Sequence, residues 1–85
     1  MAYRLELKPS AAKSLSKLPR VAQRAIADAL EGLSENPRPH GVTKLTGEDN
    51  LYRVRAGDYR VVYTIQDNIL LVLVLRIAHR RDAYR

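Results

Sequence analysis

Residues Leu51–Arg85 read LYRVRAGDYRVVYTIQDNILLVLVLRIAHRRDAYR, and the punctuation of that stretch decides the fold. Strand-forming residues run from Leu51 to Ala56, from Tyr59 to Gln66 and from Ile69 to Ile77, with Gly57-Asp58 and Asp67-Asn68 between them. Two turn formers between such runs signal a hairpin. Three strands joined this way predict an antiparallel meander. The last of them is apolar on both faces, with Leu71, Leu73 and Leu75 on one and Leu70, Val72 and Val74 on the other. That pattern belongs to an inner strand covered on both sides.

Upstream, Tyr3 to Lys8 alternates, with Tyr3, Leu5 and Leu7 on one side and Arg4, Glu6 and Lys8 on the other. Period two marks a half-buried strand. Pro9 then opens a short helix where a missing N–H is harmless, and Pro19 stops it. Its apolar side is Ala11, Ala12, Leu15 and Leu18. A second helix is predicted over Arg20 to Leu33, with Val21, Ala25, Ile26, Ala29, Leu30 and Leu33 on one face. Asn36-Pro37-Arg38-Pro39-His40-Gly41 is a loop. The predicted architecture is one α+β domain over residues 1–85. It has an N-terminal strand, a helical hairpin and a mainly antiparallel meander, forming a four-stranded sheet with both helices on one face. Two helices leave the other face to the C-terminal tail, to long side chains or to a partner.

The chain has 85 residues, no cysteine and a formal charge of +6. Lack of cysteine removes disulfides and thiolate metal sites and fits a cytoplasmic protein. The start, MAYRLELKPS, lacks the apolar segment of a secretory signal, and the apolar run Ile69–Leu75 is too short to span a bilayer. A soluble chain with no membrane partner is expected. Of the 15 basic residues, arginine is the large majority. Arginine grips phosphate with two donors at once, so the excess favours a polyanion over mere solubility charge.

Arg53 and Arg55 project to the same face of their strand, and Arg60 lies just past the Gly57-Asp58 turn, beside one or the other. Like charges that close repel unless an anion sits between them. The alternative is solvated edge arginines. Arg76, Arg80 and Arg81 back the group, and His79 and Tyr84 complete a terminal cluster. Histidine moves protons near neutral pH, and a phenol among guanidinium groups becomes a better acid. Asp82 can pair with an arginine, and His40 is expected to be inert.

Two isolated histidines give no zinc site, no Gly-rich loop cradles a phosphate, and no carboxylate pair suits two-metal chemistry. A nuclease built from these residues is expected to be metal-free and to need no cofactor. That points to RNA, whose 2′-OH attacks its own phosphate. Such a reaction needs a base, cations for the equatorial oxygens and an acid for the leaving 5′-oxygen.

The order of elements, with Lys44-Leu45-Thr46-Gly47, Gly57-Asp58-Tyr59-Arg60-Val61-Val62-Tyr63 and His79-Arg80-Arg81-Asp82-Ala83-Tyr84, resembles the RelE/ParE toxin superfamily, most closely its RelE branch. The resemblance implies a toxin of a type II toxin–antitoxin module, an endoribonuclease that cuts mRNA in the ribosomal A site and leaves a 2′,3′-cyclic phosphate. It implies catalytic roles for Arg60, Arg80, Tyr84 and His79. Arg60 and Arg80 would stabilise phosphorane charge, and Tyr84 and His79 would be the proton-transfer candidates. It implies binding of message and ribosomal RNA by Arg53, Arg55, Lys44 and Arg81. The RelE pattern has lysines where this chain has Arg53 and Arg55, so neither is a good base. A cognate antitoxin, acidic or amphipathic, is the expected partner in a hetero-oligomer. Two other readings stay open: a ParE-like toxin that poisons DNA gyrase without cutting RNA, and a basic module that coats RNA without turnover.

Overall fold

The computed structural model describes residues 2–45, 50–79 and 81. In chain order the elements are β1 (Arg4–Leu7), α1 (Pro9–Ser16), α2 (Arg20–Glu35), β2 (Thr43–Lys44), β3 (Leu51–Ala56), β4 (Tyr59–Gln66), a 3-10 turn (Asp67–Ile69) and β5 (Leu71–His79). The sheet order is β1-β5-β4-β3-β2. β1 runs parallel to β5 and every other pair is antiparallel. The α+β architecture agrees with the sequence reading. The sheet has five strands rather than four, because Thr43 and Lys44 add a two-residue strand at the β3 edge.

Pro9 starts α1 as expected, at the first turn where its ring costs no hydrogen bond. The hairpin is tied by Gln23, whose Nε2 donates to the carbonyls of Leu15 and Ser16 at 3.0 and 3.3 Å. Those are end-of-helix acceptors that α1 itself cannot satisfy. Both helices lie on one face of the sheet. Ala11 from α1 and Ile26, Leu30 and Leu33 from α2 meet Val61, Tyr63 and Ile65 of β4 and Val72, Val74 and Ile77 of β5. Val21, expected on the apolar side of α2, is 83% exposed. It sits one residue after the helix start, at the edge of a shallow groove beside the Gly57-Asp58 turn.

The pairing of β4 with β5 is irregular at one point. Val62 faces Arg76, but the next residue, Tyr63, faces Val74, so Leu75 is an extra residue in β5. Such a bulge resets the alternation of side chains. Val72, Val74, Ile77 and His79 pair with the helix-facing residues of β4, while Leu71, Leu73, Arg76 and Ala78 pair with those on the open face.

The loop after α2 is fastened to the far end of the sheet. Arg38 forks onto Asp67, with NH1 and NH2 donating to its two carboxylate oxygens at 3.2 and 2.9 Å. Tyr3 donates its hydroxyl to the same carboxylate at 2.6 Å, and Arg38 Nε donates to the Tyr52 hydroxyl at 3.3 Å. The Arg38 fork, helped by Tyr3, holds the Asp67 carboxyl down at about 2. The bond to Asp67 in turn raises the Tyr3 hydroxyl above its ordinary value. Tyr63, fully buried, donates to the Pro37 carbonyl at 2.7 Å, and burial pushes its phenol up. These hydroxyls hold the loop and play no part on the open face. No helix among the described residues is long and apolar enough to cross a membrane.

Candidate functional site

The open face of the sheet carries arginines in two adjacent rows. Arg53, Val62 and Arg76 lie side by side across β3, β4 and β5. The next row is Arg55, Arg60 and Ala78. Neighbouring strands are about 4.8 Å apart and a two-residue step is about 6.7 Å, so the Cα atoms of Arg60 lie roughly 8 Å from those of Arg53 and Arg76. An extended arginine reaches further than half that distance. The four arginines therefore border the small apolar positions Val62 and Ala78 on this face.

Two unit charges at about that separation repel by roughly 0.5–2 kcal/mol before salt screening, depending on the local dielectric. An anion between them reverses the sign. Arg55 and Arg76 are exposed, and Arg53 and Arg60 are half-buried. Arg55 is held by its own turn, its Nε donating to the Gly57 carbonyl at 3.0 Å. That turn depends on Gly57, whose φ is +62°. The backbone register thus fixes where these cations sit relative to one another, and fixed charges are what make electrostatic stabilisation effective.

Sequence-predicted site residues divide between the two faces. Arg53, Arg55 and Arg60 come together, with Arg55 directly opposite Arg60. Lys44 does not join them: it pairs with Tyr52 and so falls on the helix side of the β2 edge, while Thr43 pairs with Arg53. His79 also falls on the helix side, opposite Tyr59. Its ring meets the Tyr59 ring edge-on, with centroids 5.3 Å apart and planes at 81°. Both line a cleft of about 510 Å³ with Ser10, Ser14, Lys17 and Leu18, and Arg76 of the adjoining β5 edge lines it too. Arg81 is exposed just beyond β5. Arg80 and Tyr84, with Thr46 and Gly47 of the Lys44 motif and Asp82 and Ala83 of the terminal one, lie outside the described residues.

Arg76 was only a supporting arginine in the sequence reading. Uninterrupted alternation puts it with Val72 and Val74 against the helices, and only the extra residue at Leu75 turns it to the open face. Among the described residues, no three His, Asp or Glu side chains gather as they would around a metal ion.

Over residues 5–84 the sequence matches the family described as ParE toxin of type II toxin-antitoxin system, parDE. It is 30% identical to the putative toxin RelE1 of Methanocaldococcus jannaschii, over 100% of this chain and 98% of that protein. It is 34% identical to toxin RelE of Mycobacterium tuberculosis, over 98% of this chain and 87% of that one. Among solved structures it resembles the archaeal RelE–RelB complex from Pyrococcus horikoshii, with a TM-score of 0.85 and 32% identity, covering 98% of this chain and 100% of that one. It also resembles the E. coli RelBE toxin–antitoxin complex, with a TM-score of 0.81 and 29% identity, covering 92% and 96%. The open arginine face is therefore that of a chain belonging to the RelE/ParE family of type II toxin–antitoxin toxins, in its RelE branch.

Proposed function

We propose that this chain is an endoribonuclease that cuts mRNA on the ribosome without a metal ion, and that a cognate antitoxin holds it in check. The observation that carries the reading is the cluster of Arg53, Arg55, Arg60 and Arg76 on one sheet face, the one turned away from the helices. Similarity to proteins named RelE toxins supports it.

In the reaction the ribose 2′-oxygen forms a bond to the adjacent phosphorus while the bond from phosphorus to the 5′-oxygen breaks. The products are a 2′,3′-cyclic phosphate and a free 5′-hydroxyl. A base takes the 2′-OH proton and an acid gives one to the leaving oxygen. Arg60, at the centre of the cluster, stabilises the charge on the equatorial oxygens, as Arg80 would from the terminal segment. Arg53, Arg55 and Arg76 hold the flanking phosphates in line, and Arg81 adds a cation at the end of β5. Arginine keeps its proton, so none of these residues is the base. Tyr84 is the proposed proton-transfer residue and a surface for a base to stack on.

The relatives solved as RelE–RelB complexes support an antitoxin partner and a hetero-oligomer for this chain. A basic sheet face suits a partner chain that brings carboxylates and apolar anchors. Primer extension on ribosome-bound message tests the activity. Induction of the wild type should produce new 5′ ends inside codons, and Arg60→Gln should reduce them by about a hundredfold or more, as loss of a transition-state donor does. Full cleavage by an Arg60/Arg80/Tyr84 triple alanine variant refutes the assignment.

A second reading, favoured by the ParE description of the matching family, is a toxin that poisons DNA gyrase and cuts no RNA. It predicts a DNA-damage response and supercoiling defects with messages left whole.

A further inference from the structure

We infer that His79 is a positioning residue, which fixes the chain leaving β5 through the Arg81 amide, and is not a proton donor or acceptor in cleavage. The inference deepens the function proposed above and rests on it.

Three observations carry it. First, the register of β5 puts His79 opposite Tyr59, on the helix side, whereas Arg60 pairs with Ala78 on the other face. A proton-transfer role needs the imidazole on the face where phosphate binds. Second, its Nδ1 accepts the backbone N–H of Arg81 at 3.2 Å. Asparagine makes the same bond in a turn, with its side-chain oxygen accepting the N–H two residues on. Third, the ring is held edge-on against Tyr59 in the cleft beside α1, so its orientation is fixed by packing.

Together these make a clamp. Ala78, one residue before His79, sits in the row of Arg55 and Arg60. Arg81 follows three residues later, and its backbone is tied back by the imidazole. The clamp holds the Arg81 backbone close to the end of β5. His79 acts through Arg81 and touches no reacting atom.

The test compares His79→Asn, His79→Gln and His79→Leu in the full chain. Asparagine carries an oxygen where Nδ1 sits, whereas glutamine carries its amide nearer to Nε2. Two readouts are used: steady-state cleavage of message on programmed ribosomes, and hydrogen exchange at the Arg81 amide. His79→Asn should keep both near wild type. His79→Gln and His79→Leu should raise KM and speed Arg81 exchange by roughly fivefold, the loss of one neutral hydrogen bond, with kcat little changed. A fall in kcat of about a hundredfold in His79→Asn as well as in His79→Leu would make His79 a proton-transfer residue and overturn the inference. Unchanged Arg81 exchange in His79→Leu would overturn it too. A wild type that cuts no message brings down the proposed function instead, and the exchange measurement still decides whether the clamp exists.

Discussion

Replacing Arg76 with glutamine should flatten the salt dependence of RNA binding by a definite amount. Each phosphate neutralised on a single strand contributes about −0.7 to the slope of log K against log salt. With four open-face arginines each meeting one phosphate, the slope is about −2.8, and affinity falls roughly 50-fold between 50 and 200 mM salt. Arg76→Gln leaves three contacts, a slope of about −2.1 and a loss of roughly 18-fold over the same range. Arg53→Gln should do the same. The assay is fluorescence anisotropy on a short labelled RNA made uncleavable by 2′-O-methylation. The control is Arg24→Gln. Arg24 is exposed on α2, on the other side of the molecule, and its loss lowers net charge equally. Its slope should match the wild type. If Arg24→Gln flattens the slope as much as Arg76→Gln, binding follows net charge and not the arginine face, and the reasoning fails.

Three further outcomes concern the scaffold. Tyr63→Phe keeps the buried ring but removes the 2.7 Å bond to the Pro37 carbonyl. It should cost about 1 kcal/mol, which calorimetry should read as a Tm lower by about 4–8 °C. Asp67 has a carboxyl depressed to about 2 by the Arg38 fork and the Tyr3 hydroxyl, so its contribution is fully present above the ordinary carboxylate range and is lost as pH falls through about 2. Urea midpoints taken from pH 5 down to pH 2 should show Asp67→Asn less stable than wild type at the upper end, with the gap closing at the lower. The glycines should respond with opposite signs in urea melts. Gly57→Ala puts a side chain at φ +62° and should cost about 1–2 kcal/mol, whereas Gly32→Ala, in α2 with open space around it, should stabilise by about 0.5–1 kcal/mol.

The fold was legible wherever a local rule had no competitor. Alternation marked β1, Pro9 marked the start of α1, and Gly57-Asp58 marked the β3–β4 turn that sets Arg55 against Arg60. β2 was not legible, because two residues at a sheet edge are too few for a period to show. Half of the site was legible on the same terms, since Arg53, Arg55 and Arg60 follow from alternation and one turn. The other half turns on the extra residue at Leu75. Nothing in the run Leu71–Ile77 announces a bulge, yet that one residue sends Arg76 to the open face and His79 to the helices. The placement of Lys44 apart from the arginines was hidden for a related reason: motif spacing places a residue along the chain, while its face depends on the strand that pairs with it.

The central claim is that four guanidinium groups on one sheet face close around one stretch of RNA backbone. Arginine side-chain Nε–H resonances, followed by NMR while the uncleavable RNA is added, report on it directly. Those of Arg53, Arg55, Arg60 and Arg76 should move together and saturate at one equivalent, while Arg20 and Arg24 on α2 stay where they are. Shifts led by Arg20 and Arg24, or spread evenly over all the arginines, would contradict the account.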